Sequence, residues 1–169
     1  MLLNDQRMDP SACNNQALRN TTRYAYQDIV GMLLIHSRIH LSNNDNQILI
    51  DAISKGLTEI VRMFLLDKRL NPSDRDNEAL RTAVALGHFE IVSLLLNDTR
   101  VDPSNRDNEA LIVAVCKGRV EILKMLLKDK RVNPSARYNQ ALRIAVQDDH
   151  QEIVNLLLSN SRVDSSLLL

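Results

Sequence analysis

The segment Pro72–Asp102, PSDRDNEALRTAVALGHFEIVSLLLNDTRVD, contains the pattern from which the fold can be inferred. Its first half carries apolar residues at i, i+1, i+4 and i+5, a spacing typical of one face of a helix: Ala79, Leu80, Ala83 and Val84. Asn77 is a suitable cap for the start of this helix, and Gly87 is a suitable residue to end it. A second helix is predicted from about Phe89 to Leu96, and Pro103 then lies in a loop.

The same pattern recurs every 31 residues, as the spacing of Pro72, Pro103 and Pro134 shows. Three columns of this frame are identical in six copies: arginine at 7, 38, 69, 100, 131 and 162, serine at 11, 42, 73, 104, 135 and 166, and leucine at 3, 34, 65, 96, 127 and 158. The frame divides the chain into a partial repeat 1–9, repeats at about 10–40, 41–71, 72–102, 103–133 and 134–164, and a tail 165–169. We expect one domain, because neither helix of a repeat is long enough to be stable alone and the repeats must stack.

Three further columns predict the core of this stack. Leucine recurs at 18, 49, 80, 111 and 142, isoleucine at 29, 60, 91, 122 and 153, and alanine at 52, 83, 114 and 145. Alanine allows two helices to approach closely, and only Thr21 interrupts its column. The glycine column becomes Ala25 in the first pair and Asp149 in the last, where terminal repeats are expected to be atypical.

The run Gly87–Leu96, GHFEIVSLLL, resembles the second-helix signature of the ankyrin repeat, G-H-x-E-I-V-x-x-L-L. Val101 and Asp102 are similar to the Val-Asn with which that family begins its β-turn finger. The resemblance covers essentially the whole chain in five helix pairs. It implies an all-α ankyrin-repeat solenoid of five stacked helix–loop–helix units with short loop or β-turn fingers.

Two departures from the family pattern matter for the loops. The family's T-P-L-H motif is replaced by Glu78–Arg81, EALR, and each repeat has 31 residues instead of 33. The missing residues fall in the loop on either side of Val101 and Asp102. We therefore expect another network to replace the one that the family builds from threonine and histidine, with arginine and carboxylate as its candidates.

Composition excludes several classes of function. Lys plus Arg and Asp plus Glu are both 21, so the net charge is zero and sequence-independent nucleic-acid binding is disfavoured. The apolar runs are far too short to span a membrane, and residues 1–5 do not resemble a secretory signal. These features favour a cytoplasmic or other intracellular location.

Candidate catalytic and metal-binding residues all have simpler interpretations. His36 and His40 lie four residues apart in a predicted loop with no third ligand nearby, and His88 and His150 hold a structural position of the family. Cys13 and Cys116 belong to repeats too far apart for a disulfide. The acidic column at 28, 59, 90, 121 and 152 begins each second helix, where the helix dipole favours negative charge. We predict no enzyme activity, no cofactor and no metal.

The two arginine columns have different predicted roles, one structural and one in recognition. The six-copy column does not vary and is predicted to hold carboxylates such as Asp98 or exposed carbonyls. A second column, at 13, 44, 75, 106 and 137, varies, as do residues near the end of the first helix, among them Lys55. In ankyrin-like folds these regions line the concave surface, which makes the partner-binding candidates Asp74, Arg75, Leu86, Asn105, Arg106, Lys117, Arg137 and Asp148. The alternative is that these positions are solvated and tolerant of change.

The leading hypothesis is a protein–protein interaction module that binds an unidentified protein partner through this surface. The main alternative is a structural spacer within a longer array, and nucleic-acid binding along Arg75, Arg106 and Arg137 is opposed by the adjacent Asp76 and Asp107. We expect a monomer, with end-to-end contacts through uncapped termini as an alternative. Whether the chain is a segment of a longer array or a short protein with atypical ends stays open.

Overall fold

A computed structural model describes residues 9–36, 38–41 and 45–163 of the chain. These residues form α-helices and turns and contain no strand. The helices are α1 (Ala12–Arg23), α2 (Gln27–Leu34), α3 (Asn46–Ser54), α4 (Thr58–Leu66), α5 (Asp74–Leu86), α6 (Phe89–Asn97), α7 (Asn105–Cys116), α8 (Val120–Lys128), α9 (Ala136–Gln147) and α10 (Gln151–Leu158). Residues 1–8 of the predicted partial repeat and the predicted tail 165–169 lie outside the described residues.

The helices stack in two parallel rows. The first helices of the pairs pack in the order α1, α3, α5, α7 and α9, and the second helices pack in the order α2, α4, α6, α8 and α10. Each first helix also packs against the second helix of its own pair. This arrangement is the predicted all-α solenoid of five stacked helix pairs.

The core lies between the two rows and follows the repeated columns. Every leucine of the column at 18, 49, 80, 111 and 142 is buried, and so is every alanine at 52, 83, 114 and 145. Four of the five isoleucines of the remaining column are buried, and Ile29 in the first pair is partly exposed. The prediction of the core is thus confirmed, apart from Ile29.

The turn between the two helices of a pair needs a left-handed residue. Gly87 has φ +81°, and Ala25 and Asp149 keep the same conformation in the terminal pairs, with φ values of +58° and +54°. Glycine also permits a close approach here, because a Cβ on Gly87 would lie 2.9 Å from Cζ of Arg119 in the next repeat. The Arg119 guanidinium extends over Gly87 and donates a hydrogen bond to the Ala85 carbonyl at 3.0 Å. Adjacent repeats therefore contact each other directly across this turn.

The start of the first helix differs from its prediction. Arg75, Asp76 and Asn77 are left-handed, with φ values of +49°, +58° and +59°, and corresponding triplets occur at 13–15, 106–108 and 137–139. Asparagine and aspartate tolerate this conformation better than other non-glycine residues, which agrees with their frequency in the triplets. The prediction that Asn77 caps the helix is wrong. Its buried side-chain amide instead donates to the Asp102 carbonyl in the next loop, at 3.0 Å.

Asn77 belongs to a column of buried asparagines, and four of them, Asn15, Asn46, Asn77 and Asn108, hydrogen-bond to the loop that follows their repeat. Its members are Asn15, Asn46, Asn77, Asn108 and Asn139. Asn46 Oδ1 accepts a hydrogen bond from the backbone N–H of Asn71 at 3.0 Å, and Asn108 Oδ1 accepts one from that of Asn133 at 2.7 Å. In each case the partner lies 25 residues further along the chain.

The six-copy arginine column forms a second network between repeats. The Arg100 guanidinium donates two hydrogen bonds to the Asp98 carboxylate, with Nε–Oδ1 and Nη2–Oδ2 distances of 2.9 and 2.6 Å. The same guanidinium donates to the carbonyls of Leu70 at 2.9 Å and Leu65 at 2.7 Å, both in the preceding repeat. Equivalent bonds are made by Arg69 and Arg131, and Arg162 donates to three carbonyls of the preceding repeat, those of Leu127, Asp129 and Val132. The predicted structural role is confirmed for Arg69, Arg100, Arg131 and Arg162, whereas Arg7 lies outside the described residues. Arginine with carboxylate thus joins the loops of this short repeat.

Candidate functional site

The predicted partner-binding residues lie at the two ends of the first helices. Because these helices stack side by side, equivalent positions of successive repeats form rows. We call Arg75, Arg106 and Arg137 the finger row. The helix-end row, at the other end of the same helices, consists of Tyr24, Lys55, Leu86, Lys117 and Asp148.

The finger row is surrounded by carboxylates. The Arg75 guanidinium lies 3.9 Å from Asp74 and 3.4 Å from Glu78, and it donates to Gln47 of the preceding repeat. All three arginines are exposed, yet none is an isolated positive charge. The positive charge of each arginine in the row is therefore offset by at least one nearby carboxylate.

Two of these pairs connect successive repeats. Arg106 lies 3.9 Å from Asp76, and Arg137 lies 3.1 Å from Asp107. Asp76 and Asp107, the carboxylates that oppose nucleic-acid binding, thus lie beside Arg106 and Arg137. Asn105, in the same finger as Arg106, is half-buried.

The helix-end row has a different character. Leu86 is an exposed apolar side chain, and Lys117 and Asp148 are exposed without an ion pair among the described residues. The row alternates from Tyr24 to Lys55, Leu86 and Lys117, so an apolar group and a cation follow each other along the stack.

Tyr24 was not among the predicted binding residues, although it lies two repeat lengths before Leu86. Its ring is exposed and stacks on Tyr26, with centroids 5.9 Å apart. Phe89, also exposed, begins the second helix directly after the turn that follows Leu86. The sequence signal that could have found them is a large apolar residue in a column that holds polar residues in other repeats, such as Lys55 for Tyr24 and Thr58 for Phe89.

Hydrogen bonds in the arginine network between the repeats shift the pKa values of the arginines and aspartates that form it. The Arg100 guanidinium donates to the Asp98 carboxylate and lowers the pKa of Asp98 below its ordinary value, while the pKa of Arg100 is raised. Asp67 and Asp129 have lowered pKa values for the same reason, through Arg69 and Arg131. These shifts belong to the scaffold and mark no catalytic acid or base.

Groups suited to metal or covalent chemistry are dispersed. The described part of the chain holds no cluster of three or more His, Cys, Asp or Glu side chains that could bind a metal ion. Cys13 and Cys116 are free and exposed. The ring of His36 accepts a hydrogen bond from the Arg38 backbone N–H at 3.2 Å. Glu59, like its equivalents, lies in the first turn of a second helix.

Comparison with protein families identifies the class. The profile described as "Ankyrin repeats (3 copies)" matches residues 22–107, 66–138 and 99–166. The matches cover most of the chain, which therefore belongs to the ankyrin-repeat family. Ankyrin repeats are generally protein–protein interaction modules, and the family is typically non-enzymatic. A search of curated proteins finds no match. Each helix in the described ranges is too short or too polar to cross a membrane.

Proposed function

We propose that this ankyrin-repeat protein binds a protein partner through the concave surface formed by its fingers and the ends of its first helices. The observation that carries the proposal is the helix-end row, where exposed apolar and charged side chains alternate from one repeat to the next. Exposed aromatic and apolar groups flanked by charges are typical of interaction surfaces. The eight candidates Asp74, Arg75, Leu86, Asn105, Arg106, Lys117, Arg137 and Asp148 all belong to this surface or border it.

Within this surface we assign the larger contribution to the helix-end row. The finger arginines are already paired, so a partner carboxylate must compete with Asp76, Asp107 or Glu78 for the same guanidinium. Lys55 and Lys117 face no such competitor among the described residues, and Leu86 offers apolar area that water solvates poorly. An acidic partner with apolar residues would therefore engage the helix ends first.

The partner chemistry follows from the spacing of the stack. Packed helices lie roughly 8–10 Å apart, which is about three residues of an extended chain. An extended partner segment would place an apolar residue at Tyr24 and Leu86 and an acidic residue at Lys55 and Lys117. Asp148, at the last repeat, would favour a basic residue.

Affinity purification with three matched baits tests this assignment. The wild-type chain is compared with Y24A/L86A/K117A in the helix-end row and with R75A/R106A/R137A in the finger row. Retained proteins are quantified by mass spectrometry, and binding of a purified hit is measured by calorimetry. We expect the helix-end variant to lose the partner, and the finger variant to lose about 1 kcal/mol or less per exposed contact.

The spacer hypothesis makes the opposite prediction. If the chain only separates binding residues located elsewhere, all three baits will retain the same proteins in equal amounts. That result would exclude this surface as the binding site. Circular dichroism of each bait confirms that the substitutions leave the helices intact.

We further propose an intracellular location and a monomeric chain. The two exposed free cysteines, Cys13 and Cys116, are compatible with a reducing compartment. Sedimentation velocity, with and without reductant, tests the oligomeric state and shows whether these thiols cross-link chains on oxidation.

A further inference from the structure

A groove lies between the carboxyl-terminal ends of the second helices of the first two repeats. Gly31, Leu34 and Ile35 of the first repeat line one side, and Met63 and Leu66 of the second line the other. Its volume is about 420 Å³, and Asp67 and Lys68 form its rim. We call it the second-helix groove. The groove lies at the carboxyl-terminal ends of the second helices, whereas the turn that follows the helix-end row lies at their amino-terminal ends.

The two walls carry unusually exposed aliphatic side chains. Ile35 is 85% exposed and Leu66 is 78% exposed, whereas the other large aliphatic side chains in the described ranges are better covered. Both occupy one column of the repeat. The same column holds Asn97, Lys128 and Ser159 in the later repeats, so the scaffold accepts polar residues there. Stacking therefore does not require isoleucine or leucine at these positions.

The floor of the groove depends on a glycine that the backbone does not require. Gly31 lies inside α2, where glycine destabilises a helix relative to alanine. A Cβ at this position would lie 3.8 Å from Sδ and Cε of Met63, an ordinary contact distance. The column has arginine, serine, lysine and asparagine at 62, 93, 124 and 155. The missing side chain opens access to Met63, whose flexible thioether adapts well to a bound apolar group.

The rim adds one charge to this apolar surface. The Asp67 carboxylate is bound by Arg69, with an Nη2–Oδ2 distance of 2.6 Å. Lys68 is exposed, and no ion pair or hydrogen bond to it is found within the described ranges. The groove thus offers two apolar walls and a cation that is not neutralised by a neighbour, which is complementary to an apolar segment carrying a carboxylate.

We propose that the second-helix groove binds an amphipathic helix of a protein partner, with apolar residues packed against Ile35 and Leu66 and an acidic residue opposite Lys68. The two wall residues are one helix layer apart, roughly 8–10 Å. Residues i and i+7 of a partner helix are about 10 Å apart and lie on one face, so a single helix can contact both walls. This surface is separate from the one in the proposed function, and neither proposal depends on the other.

A phage-displayed library of single helices, with one face randomised, is the probe for this groove. Helices are selected on the immobilised full chain. The matched control is G31S/I35N/L66N, which introduces the serine and asparagine that the chain itself carries at 93 and 97. We expect the selected helices to carry apolar residues at i and i+7 with an adjacent Asp or Glu. Their affinity, measured by fluorescence anisotropy, should fall about tenfold or more on the control.

Two further variants identify the determinants. K68T introduces the residue found at Thr99 and should weaken binding of an acidic helix several-fold, with a smaller effect on a copy of that helix in which glutamine replaces glutamate. L86A, in the helix-end row, should leave binding unchanged. Thermal unfolding of all variants confirms that the fold is retained.

Several results would overturn the proposal: no helix is selected, the selected helices bind the triple variant as well as the wild type, or they show no preference for acidic residues. Loss of binding in L86A would place the helices on the other surface. Self-association of the wild-type chain that the triple variant abolishes would show that a second copy occupies the groove.

Discussion

Replacing Arg100 with alanine should destabilise the stack more than any substitution in the finger row. Its side chain is 29% exposed and makes two hydrogen bonds to carbonyls of the preceding repeat and two to Asp98. Hydrogen bonds from a charged group contribute about 1.5–3 kcal/mol each when well buried. Because the side chain is partly exposed, water replaces part of this hydrogen-bond energy. The ion pair with Asp98 adds about 1 kcal/mol or less. We expect Arg100→Ala to lower the free energy of unfolding by about 2–4 kcal/mol.

Urea unfolding followed by far-ultraviolet circular dichroism measures this loss, with equal m-values required for the comparison. Arg100→Lys should lose most of the same energy, because a lysine ammonium cannot reach both carbonyls and the carboxylate as a planar guanidinium does. The control is Arg75→Ala, whose side chain is 58% exposed and whose contacts are 3.3 Å or longer. It should cost under about 0.5 kcal/mol. Equal losses for Arg100→Ala and Arg75→Ala, or full stability of Arg100→Lys, would refute this account of the network.

Three other predictions test the scaffold. The Asp98 carboxylate has a lowered pKa in the folded state, so its contribution to stability is complete above about pH 4 and is lost as the pH falls through the folded pKa. Urea unfolding at a series of pH values in this range should show that the free energy of unfolding falls less steeply for Asp98→Asn than for the wild type. Gly31→Ala should raise the free energy of unfolding by about 0.5–1 kcal/mol, whereas Gly87→Ala should lower it by about 1–2 kcal/mol because of the positive φ and the contact with Arg119. Asn108→Ala removes the acceptor of a part-buried N–H and should cost about 1–3 kcal/mol in the same assay, with an equal stability contradicting a role in coupling repeats.

The stacking core could be predicted from the sequence because burial makes the same demand in every copy. A leucine such as Leu80 is buried in a first helix that packs against the second helix of its pair and against both neighbouring first helices, so a polar residue there would be costly in any repeat. The same reasoning located the six-copy arginine column. Carbonyl partners were expected as a class, but which carbonyls accept, Leu65 and Leu70 for Arg100, could not be predicted, since a backbone acceptor leaves no mark on the sequence.

The asparagine column shows how a regular signal can be misinterpreted. Asparagine at the start of a helix is usually a cap, and local reasoning assigns Asn77 that role. Its partner, the Asp102 carbonyl, lies 25 residues away and is reached only through the stack. A cap can be made by serine, threonine or aspartate as well, so five asparagines without exception already favour a role that requires an amide. The left-handed triplets could likewise have been suspected from their Asn and Asp content.

The candidate site was harder to predict because its chemistry depends on pairs formed between repeats. Arg106 and Arg137 appear in the sequence as two steps of a basic row, yet each lies beside a carboxylate 30 residues earlier, Asp76 or Asp107. Variation within a column therefore shows where the scaffold is permissive, and pairing across the stack decides whether the charge there is still available. By that criterion Lys117 in the helix-end row and Lys68 beside the second-helix groove are better placed to bind an acidic group than the finger arginines.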